Sequence, residues 1–174
     1  MAINNLQLSQ TSLGQIHNYI NDLDIICGEL IRDRTQADVD FALNLERDGG
    51  FTDEDLKGAY NISDRNRVGG AINYIAECLR DTGRHEVRTK VRDDWDFYDI
   101  IKPGDNQKVL AALKYLKLLL PYNQTEEVPE SLDCLTYQKA NAVENILFDL
   151  CGVFSRIFEA WLFCGDAFMF VSEE

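Results

Sequence analysis

The chain has 174 residues, of which 45% are hydrophobic, and its 30 acidic and 17 basic residues give a formal net charge of −13. This size and apolar content suffice for a folded core without disulfide or metal support and exclude disorder over the whole chain. The negative charge repels phosphate backbones, and the basic residues between Arg84 and Arg92 are interrupted by Glu86, so we expect no nucleic-acid binding.

Targeting signals and cysteine usage limit where the protein acts. Residues 1–10 are polar and lack the basic and apolar regions of a signal peptide, and no apolar run approaches the roughly 20 residues of a membrane span. We expect synthesis in the cytoplasm and no membrane insertion. The five cysteines show no CxxC spacing, and the chain has only two histidines. This pattern favours buried free thiols over a zinc site, so we predict no metal and no cofactor.

The first predicted helix follows Thr11-Ser12 and has apolar residues every three or four positions. So narrow a stripe suits packing on one neighbour or a short coiled coil with other copies of the chain. We predict that residues 1–33 form an N-terminal amphipathic helix, a candidate oligomerisation segment, and that residues 34–174 form a helical module. The candidate interface residues in the first helix are Leu13, Ile16, Ile20, Leu23 and Leu30.

A second, short helix is predicted after Thr35. Asp38 stands three residues later, as in a capping box with Asp in place of Glu or Gln. We expect this helix to bury Val39, Ala42 and Leu43, with Phe41 as a further candidate, and to stop at 48–50, where Asp-Gly-Gly is a strong stop signal. Thr52 is predicted to cap a further short turn that ends at Ala59.

The third predicted helix begins near Tyr60-Asn61, with Ser63 or Asp64 placed to cap it. Its apolar stripe runs from Val68 to Leu79, and Gly83 is a predicted C-terminal cap. Glycine inside a helix costs about 1 kcal/mol relative to alanine. Gly69-Gly70 therefore predicts that another backbone approaches this helix closely.

The segment after the third helix mixes acidic and aromatic residues. Val87 to Lys90 alternates weakly and is predicted to be extended. Asp93 to Phe97 is either a binding patch or a loop that buries Trp95 and Phe97 while its acids face water; we favour the loop. The calcium-loop pattern, with its central Gly and terminal Glu, is absent here.

Two further helices complete the prediction. Pro103 lies early in the fourth, Asp105 can cap it, and Pro121 ends it. Thr136 caps the fifth, whose apolar stripe is broad enough to require burial on more than one side. This last helix is either the centre of the fold or an interface. Gly165-Asp166 predicts a turn before a short apolar strand that needs a pairing partner. The interface candidates in the last helix and the strand after it are Trp161, Phe168 and Phe170.

No catalytic motif is present. The glycine pairs lack the spacing and the Lys-Ser/Thr of a phosphate loop, and no Gly-x-Ser-x-Gly elbow occurs. We predict no catalytic or cofactor-binding residues and no enzyme. The starts of the third, fourth and fifth helices are alike, each with an Asn two or three residues before a Val. Their spacing fits either a helical repeat or the common features of capped helices.

Four segments carry a family resemblance. They are residues 34–40 (Arg-Thr-Gln-Ala-Asp-Val-Asp), 57–68 (Lys-Gly-Ala-Tyr-Asn-Ile-Ser-Asp-Arg-Asn-Arg-Val), 135–141 (Leu-Thr-Tyr-Gln-Lys-Ala-Asn) and 161–166 (Trp-Leu-Phe-Cys-Gly-Asp), with Asp94-Trp95 between them. In this order they resemble modules of tail-tip, baseplate and fibre-associated proteins from phages and prophages of Gram-positive bacteria. The resemblance covers residue 34 to the end. Arg65 and Gly69 depart from it, standing where Leu and Glu are usual.

The resemblance implies a non-enzymatic structural protein of the virion tail, made in the bacterial cytoplasm. Its implied partners are other copies of itself and other tail proteins, and its implied role is assembly or attachment. The alternative is a small phage-encoded intracellular regulator or a head–tail connector protein. We predict a mainly α protein with about five helices in a bundle-like array and a short extended or hairpin C-terminal tail.

Overall fold

The computed structural model describes residues 13–47, 56–81, 87–119 and 126–169, without the side chains of residues 13, 46–47 and 164–169. Within these ranges there are five helices and no strand. The mainly α fold is thereby confirmed. The helices are α1 Leu13–Glu29, α2 Gln36–Arg47, α3 Ile62–Asp81, α4 Pro103–Leu119 and α5 Tyr137–Met169. None of the described helices is long and apolar enough to cross a membrane.

Helix α5 is the centre of the fold. It contacts α1, α3 and α4, and α3 also contacts α1 and α4. Burial on several sides explains the breadth of its apolar stripe, and each large apolar side chain withdrawn from water contributes about 1.5–3 kcal/mol. Of the two alternatives for this helix, the structure supports the core. Its buried apolar residues are Ala140, Val143, Ile146, Leu147, Leu150, Cys151, Phe154 and Phe158.

Helix α1 packs along α5 and shares its core. Ile16, Leu23 and Leu30 are buried in the same cluster as residues of α3, α4 and α5, and Ile20 is partly buried against it. These candidate interface residues are therefore core residues of the single chain, and the first three offer no exposed side chain to a second copy. Trp161 is half-buried, with its ring centroid 5.4 Å from that of Phe158. The side chains of Leu13, Phe168 and Phe170 lie outside the described part.

Helix α2 is the least buried helix in the described part. Thr35 and Asp38 form the predicted capping box: the Thr35 N–H donates to Asp38 Oδ2 at 2.8 Å, and the Asp38 N–H donates to Thr35 Oγ1 at 3.3 Å. Ala42 is buried and Val39 half-buried. Leu43 and the further candidate Phe41 are 58% and 60% exposed, so their predicted burial is wrong. The predicted signals at 48–50, Thr52, Gly83 and Pro121 lie outside the described residues.

The caps of α3 and α4 correct the sequence prediction by a few positions. Asn61, rather than Ser63 or Asp64, caps α3: its Oδ1 accepts the Asp64 N–H at 3.2 Å, while Asp64 Oδ2 accepts the Asn61 N–H at 2.9 Å. At α4, Asp105 likewise reaches back to the N–H of Lys102 at 3.1 Å. The likeness of these helix starts therefore includes a shared capping geometry.

The predicted turn at Gly165-Asp166 is wrong. Helix α5 continues through both residues to Met169. One glycine costs a helix only about 1 kcal/mol, which the neighbouring good helix formers Leu, Ala and Met help to offset. Part of the predicted apolar strand is therefore helical, and residues 170–174 lie outside the described part.

Candidate functional site

A buried ion network joins two of the segments singled out in the sequence, residues 34–40 and 57–68, to helix α5. Arg34, which precedes α2, and Asp64, in the first turn of α3, are each 3% exposed, and Glu144 on α5 is 0% exposed. Arg34 Nη2 lies 2.6 Å from Asp64 Oδ1, and Arg34 Nη1 lies 2.8 Å from Glu144 Oε1. One guanidinium thus bridges carboxylates from two helices.

Arg67 adds a second guanidinium to the network. It donates to Asp64 Oδ1 through Nη2 and to both oxygens of Glu144, at 3.1 Å for Oε1 and 3.3 Å for Oε2. Burial opposes its charge, but the hydrogen bonds and charges of Glu144 and Asp64 outweigh that effect and raise the pKa of Arg67. Two cations and two anions therefore balance one another, which is the condition for keeping such charges away from water.

The network also fixes the chain between α1 and α2. Glu144 Oε2 accepts the Ile31 N–H at 2.6 Å, and Arg34 Nη1 donates to the Ile31 carbonyl at 2.5 Å. Asn141 pairs with the backbone of Arg34, accepting its N–H at 3.1 Å and donating to its carbonyl at 2.9 Å. Side chains thus satisfy four backbone groups of this link, three from α5 and one, the Ile31 carbonyl, from Arg34.

The carboxylates of the network are fully engaged. Asp64 accepts from guanidinium groups on one oxygen and from the Asn61 N–H on the other, and both oxygens of Glu144 accept hydrogen bonds. A general acid or base needs a proton position that faces its substrate. Beside the network, burial and then the charges of Glu144 and Asp64 raise the pKa of Tyr60 and keep it a neutral phenol. The arrangement is suited to holding helices together.

A second assembly holds the segment 87–95 against α3. Asn66 accepts the Trp95 N–H at 2.7 Å and donates to the Trp95 carbonyl at 3.0 Å. Asn73, two helical turns further, does the same for Val91 at 2.9 Å in each direction. The segment was predicted to be extended from Val87 to Lys90. Residues 87–90 form no strand, and the two side-chain amides bind the backbone just beyond them, at Val91 and Trp95.

Gly69 lies between the two asparagines and makes this approach possible. A Cβ atom at Gly69 would lie 2.6 Å from the Arg92 carbonyl oxygen and 3.0 Å from Asp93 Cβ, closer than carbon atoms pack without strain. The predicted close approach is therefore confirmed at Gly69. It is wrong at Gly70, where nothing lies within 4 Å of a Cβ position.

The segment continues into a turn that exposes its apolar residues. We call residues 96–101 the apolar turn. Trp95 is buried at 8% exposure as predicted, but Phe97 is 78% exposed, so the predicted burial of both aromatics is wrong for Phe97. Tyr98, Ile100 and Ile101 are 89%, 82% and 40% exposed. Four large apolar side chains within five positions differ from the isolated exposed residues that are normal on a protein surface.

Hydrogen bonds fix the shape of the apolar turn. The Asp99 N–H donates to the Asp96 carbonyl at 3.0 Å, and the Asp96 N–H donates to Asp99 Oδ2 at 2.8 Å. Arg92 braces it, donating to Asp99 Oδ2 at 2.6 Å and to Asp94 Oδ1 at 2.8 Å, with its guanidinium carbon 4.4 Å from the centre of the Trp95 ring. The exposed residues therefore stand on a turn anchored in the core.

We expect acid to loosen this turn. Hydrogen bonds from the Asp96 N–H and then from Arg92 lower the pKa of Asp99 below its ordinary value. A lowered folded-state pKa contributes stability that is present above the unfolded pKa of about 3.9 and is lost as the pH falls through the folded pKa. Urea unfolding between about pH 5 and pH 2 should show Asp99→Asn losing less stability than the wild type. If the free energy of unfolding fell equally in the two proteins over this pH range, this role of Asp99 would be contradicted.

The structure also describes four cysteines and a groove outside the ion network. Among the described residues, no three His, Cys, Asp or Glu side chains are grouped so as to hold a metal ion. Cys27, Cys78, Cys134 and Cys151 are free thiols; Cys78 and Cys151 are buried as predicted, whereas Cys134 is exposed. A groove of about 340 Å³ runs between the segment 90–95 and the start of α4, lined by both signs of charge, including Arg92, Asp94 and Lys108.

Sequence reasoning overlooked Glu144, although a signal was available. It is a charged residue inside the otherwise apolar stripe of α5, next to Val143 and two positions before Ile146. A buried charge requires a charged partner, and Arg34, Asp64 and Arg67 were all in segments already singled out.

Comparison of the chain with protein-family models, with curated proteins and with solved structures gives no match.

Proposed function

We propose that this protein is a non-enzymatic structural component of a phage or prophage virion, an assembly or attachment module of the tail tip, baseplate or tail fibre. It is made in the bacterial cytoplasm and acts in the virion tail through non-covalent contacts with copies of itself and with other tail proteins. The observation that carries the proposal is the coincidence of the family-like segments with the ion network. Arg34, Asp64, Arg67 and Asn141 all belong to those segments, and all contact one another or Glu144 through the network.

This coincidence matters because it relates the family-like segments to one structural feature, the ion network. The family-like segments supply three of the four charged residues of the network, Arg34, Asp64 and Arg67. Here residues 34, 64, 67 and 141 meet at one point and fix the packing of α3, α5 and the α1–α2 link. Such segments specify a scaffold, and a scaffold with an anchored apolar turn is suited to protein contacts rather than to chemistry.

The alternative is a small phage-encoded intracellular regulator or a head–tail connector. Either would use the same scaffold, so the packing does not distinguish them from a tail component. Neighbouring genes for tail and baseplate proteins would favour the tail, and regulatory neighbours would favour the intracellular role.

We expect this protein to be present in purified virions. Particles banded in a density gradient should yield its peptides by mass spectrometry in a fixed ratio to the major tail protein. An abundant cytoplasmic protein of the host, measured in the same fractions, controls for contamination. Presence of the protein in the infected cell together with absence from the particle would overturn the proposal, and the intracellular alternative would replace it.

A further inference from the structure

We infer that the apolar turn is a docking element, and that its partner is a protein with an apolar pocket rimmed by lysine or arginine. This inference rests on the geometry and charge of the turn and holds whether or not the protein is part of a virion.

The first support is the combination of exposure with anchoring. Phe97 and Tyr98 are 78% and 89% exposed, and their rings meet edge to face with centroids 5.6 Å apart. Behind them, Trp95 is buried and its backbone is paired with Asn66. A preordered aromatic pair loses little conformational freedom on binding, which is why aromatic residues dominate the energetic centres of protein interfaces.

The second support is the charge around the turn, which selects the occupant. Residues 92–102 contain four aspartates against one arginine and one lysine, a local net charge of −2 in a chain of −13. A second copy of this chain would bring together two surfaces of the same net negative sign, and an anionic membrane would repel the same aspartates. A pocket with a basic rim complements both the apolar residues and their acidic surround.

Site-specific photo-crosslinking tests the inference. Tyr98 is replaced by p-benzoylphenylalanine in the full chain, the cells that make the protein are irradiated, and the crosslinked peptides are sequenced by mass spectrometry. We expect crosslinks to one other protein, at a segment that combines apolar residues with lysine or arginine. The same probe at Phe163, which is 76% exposed on α5, is the matched control and should not give this crosslink.

A charge-neutralising variant distinguishes specific docking from non-specific hydrophobic association. Asp94→Asn with Asp96→Asn removes two charges and keeps the side-chain oxygens that accept from Arg92 and from the Phe97 N–H. It should lower the crosslink yield at position 98 roughly threefold or more, since rim charges govern association. Glu127→Gln with Glu159→Gln, at two exposed acids elsewhere, should leave it unchanged. Crosslinks to the chain itself or to lipid, the same crosslink from position 163, or a yield insensitive to both charge variants would overturn the inference.

Discussion

The variant Glu144→Ala should lose about 3–5 kcal/mol of its free energy of unfolding, the largest effect we expect from a single substitution in the ion network. Glu144 is 0% exposed and accepts from Arg34, Arg67 and the Ile31 N–H. Its removal leaves the buried guanidinium of Arg34 and the partly buried one of Arg67 facing the single carboxylate of Asp64. The cost therefore comes mainly from uncompensated buried charge, and less from the loss of the contacts themselves.

Equilibrium unfolding in urea, followed by circular dichroism, measures this loss. Small domains are stable by only about 5–15 kcal/mol, so the variant is expected to be marginal at room temperature. Glu144→Gln keeps the size and one acceptor oxygen and should lose less. The matched control is Glu159→Ala, at an exposed position on the same helix, which should change stability by no more than about 0.5 kcal/mol. A loss below about 1 kcal/mol for Glu144→Ala would contradict the structural role of the network.

The substitutions Gly69→Ala and Gly70→Ala should act in opposite directions. Alanine at Gly70 meets nothing within 4 Å and should stabilise α3 by up to about 1 kcal/mol, the difference in helix propensity. At Gly69 the new Cβ would lie 2.6 Å from the Arg92 carbonyl oxygen, which belongs to a backbone fixed on both sides by Asn66 and Asn73. Relief of this overlap costs about 1–3 kcal/mol and should outweigh the gain in propensity.

The pair is informative because the two positions are adjacent in one helix. Propensity and denatured-state effects are nearly the same for both, so the difference between their urea midpoints reports the close approach of residues 92–93. We expect Gly69→Ala to be the less stable variant by about 1–3 kcal/mol. Equal stabilisation by both substitutions would mean that the segment 87–95 does not press on α3 in solution.

Local signals were enough for much of the helical framework. The apolar periods of three and four residues predicted the five helices, and Thr35, Pro103 and Thr136 marked three of their starts. These features could be predicted because capping and amphipathic burial depend on neighbours within one or two turns. The errors at Asn61 and Gly165 are also local: several residues near each helix end could cap it, and a helix can continue through one unfavourable residue.

The sequence by itself thus determined the fold class, most helix starts and the apolar stripes of the helices. Only the tertiary structure decided that the α1 stripe is core, that Arg34, Asp64, Arg67 and Glu144 form one network, and that Phe97 faces water while Trp95 does not. The physical reason is the sequence separation over which the interactions act. A stripe shows that a face is buried but not which element buries it. The partner of a buried charge, or the direction of an aromatic in a loop, depends on residues 29 to 113 positions away.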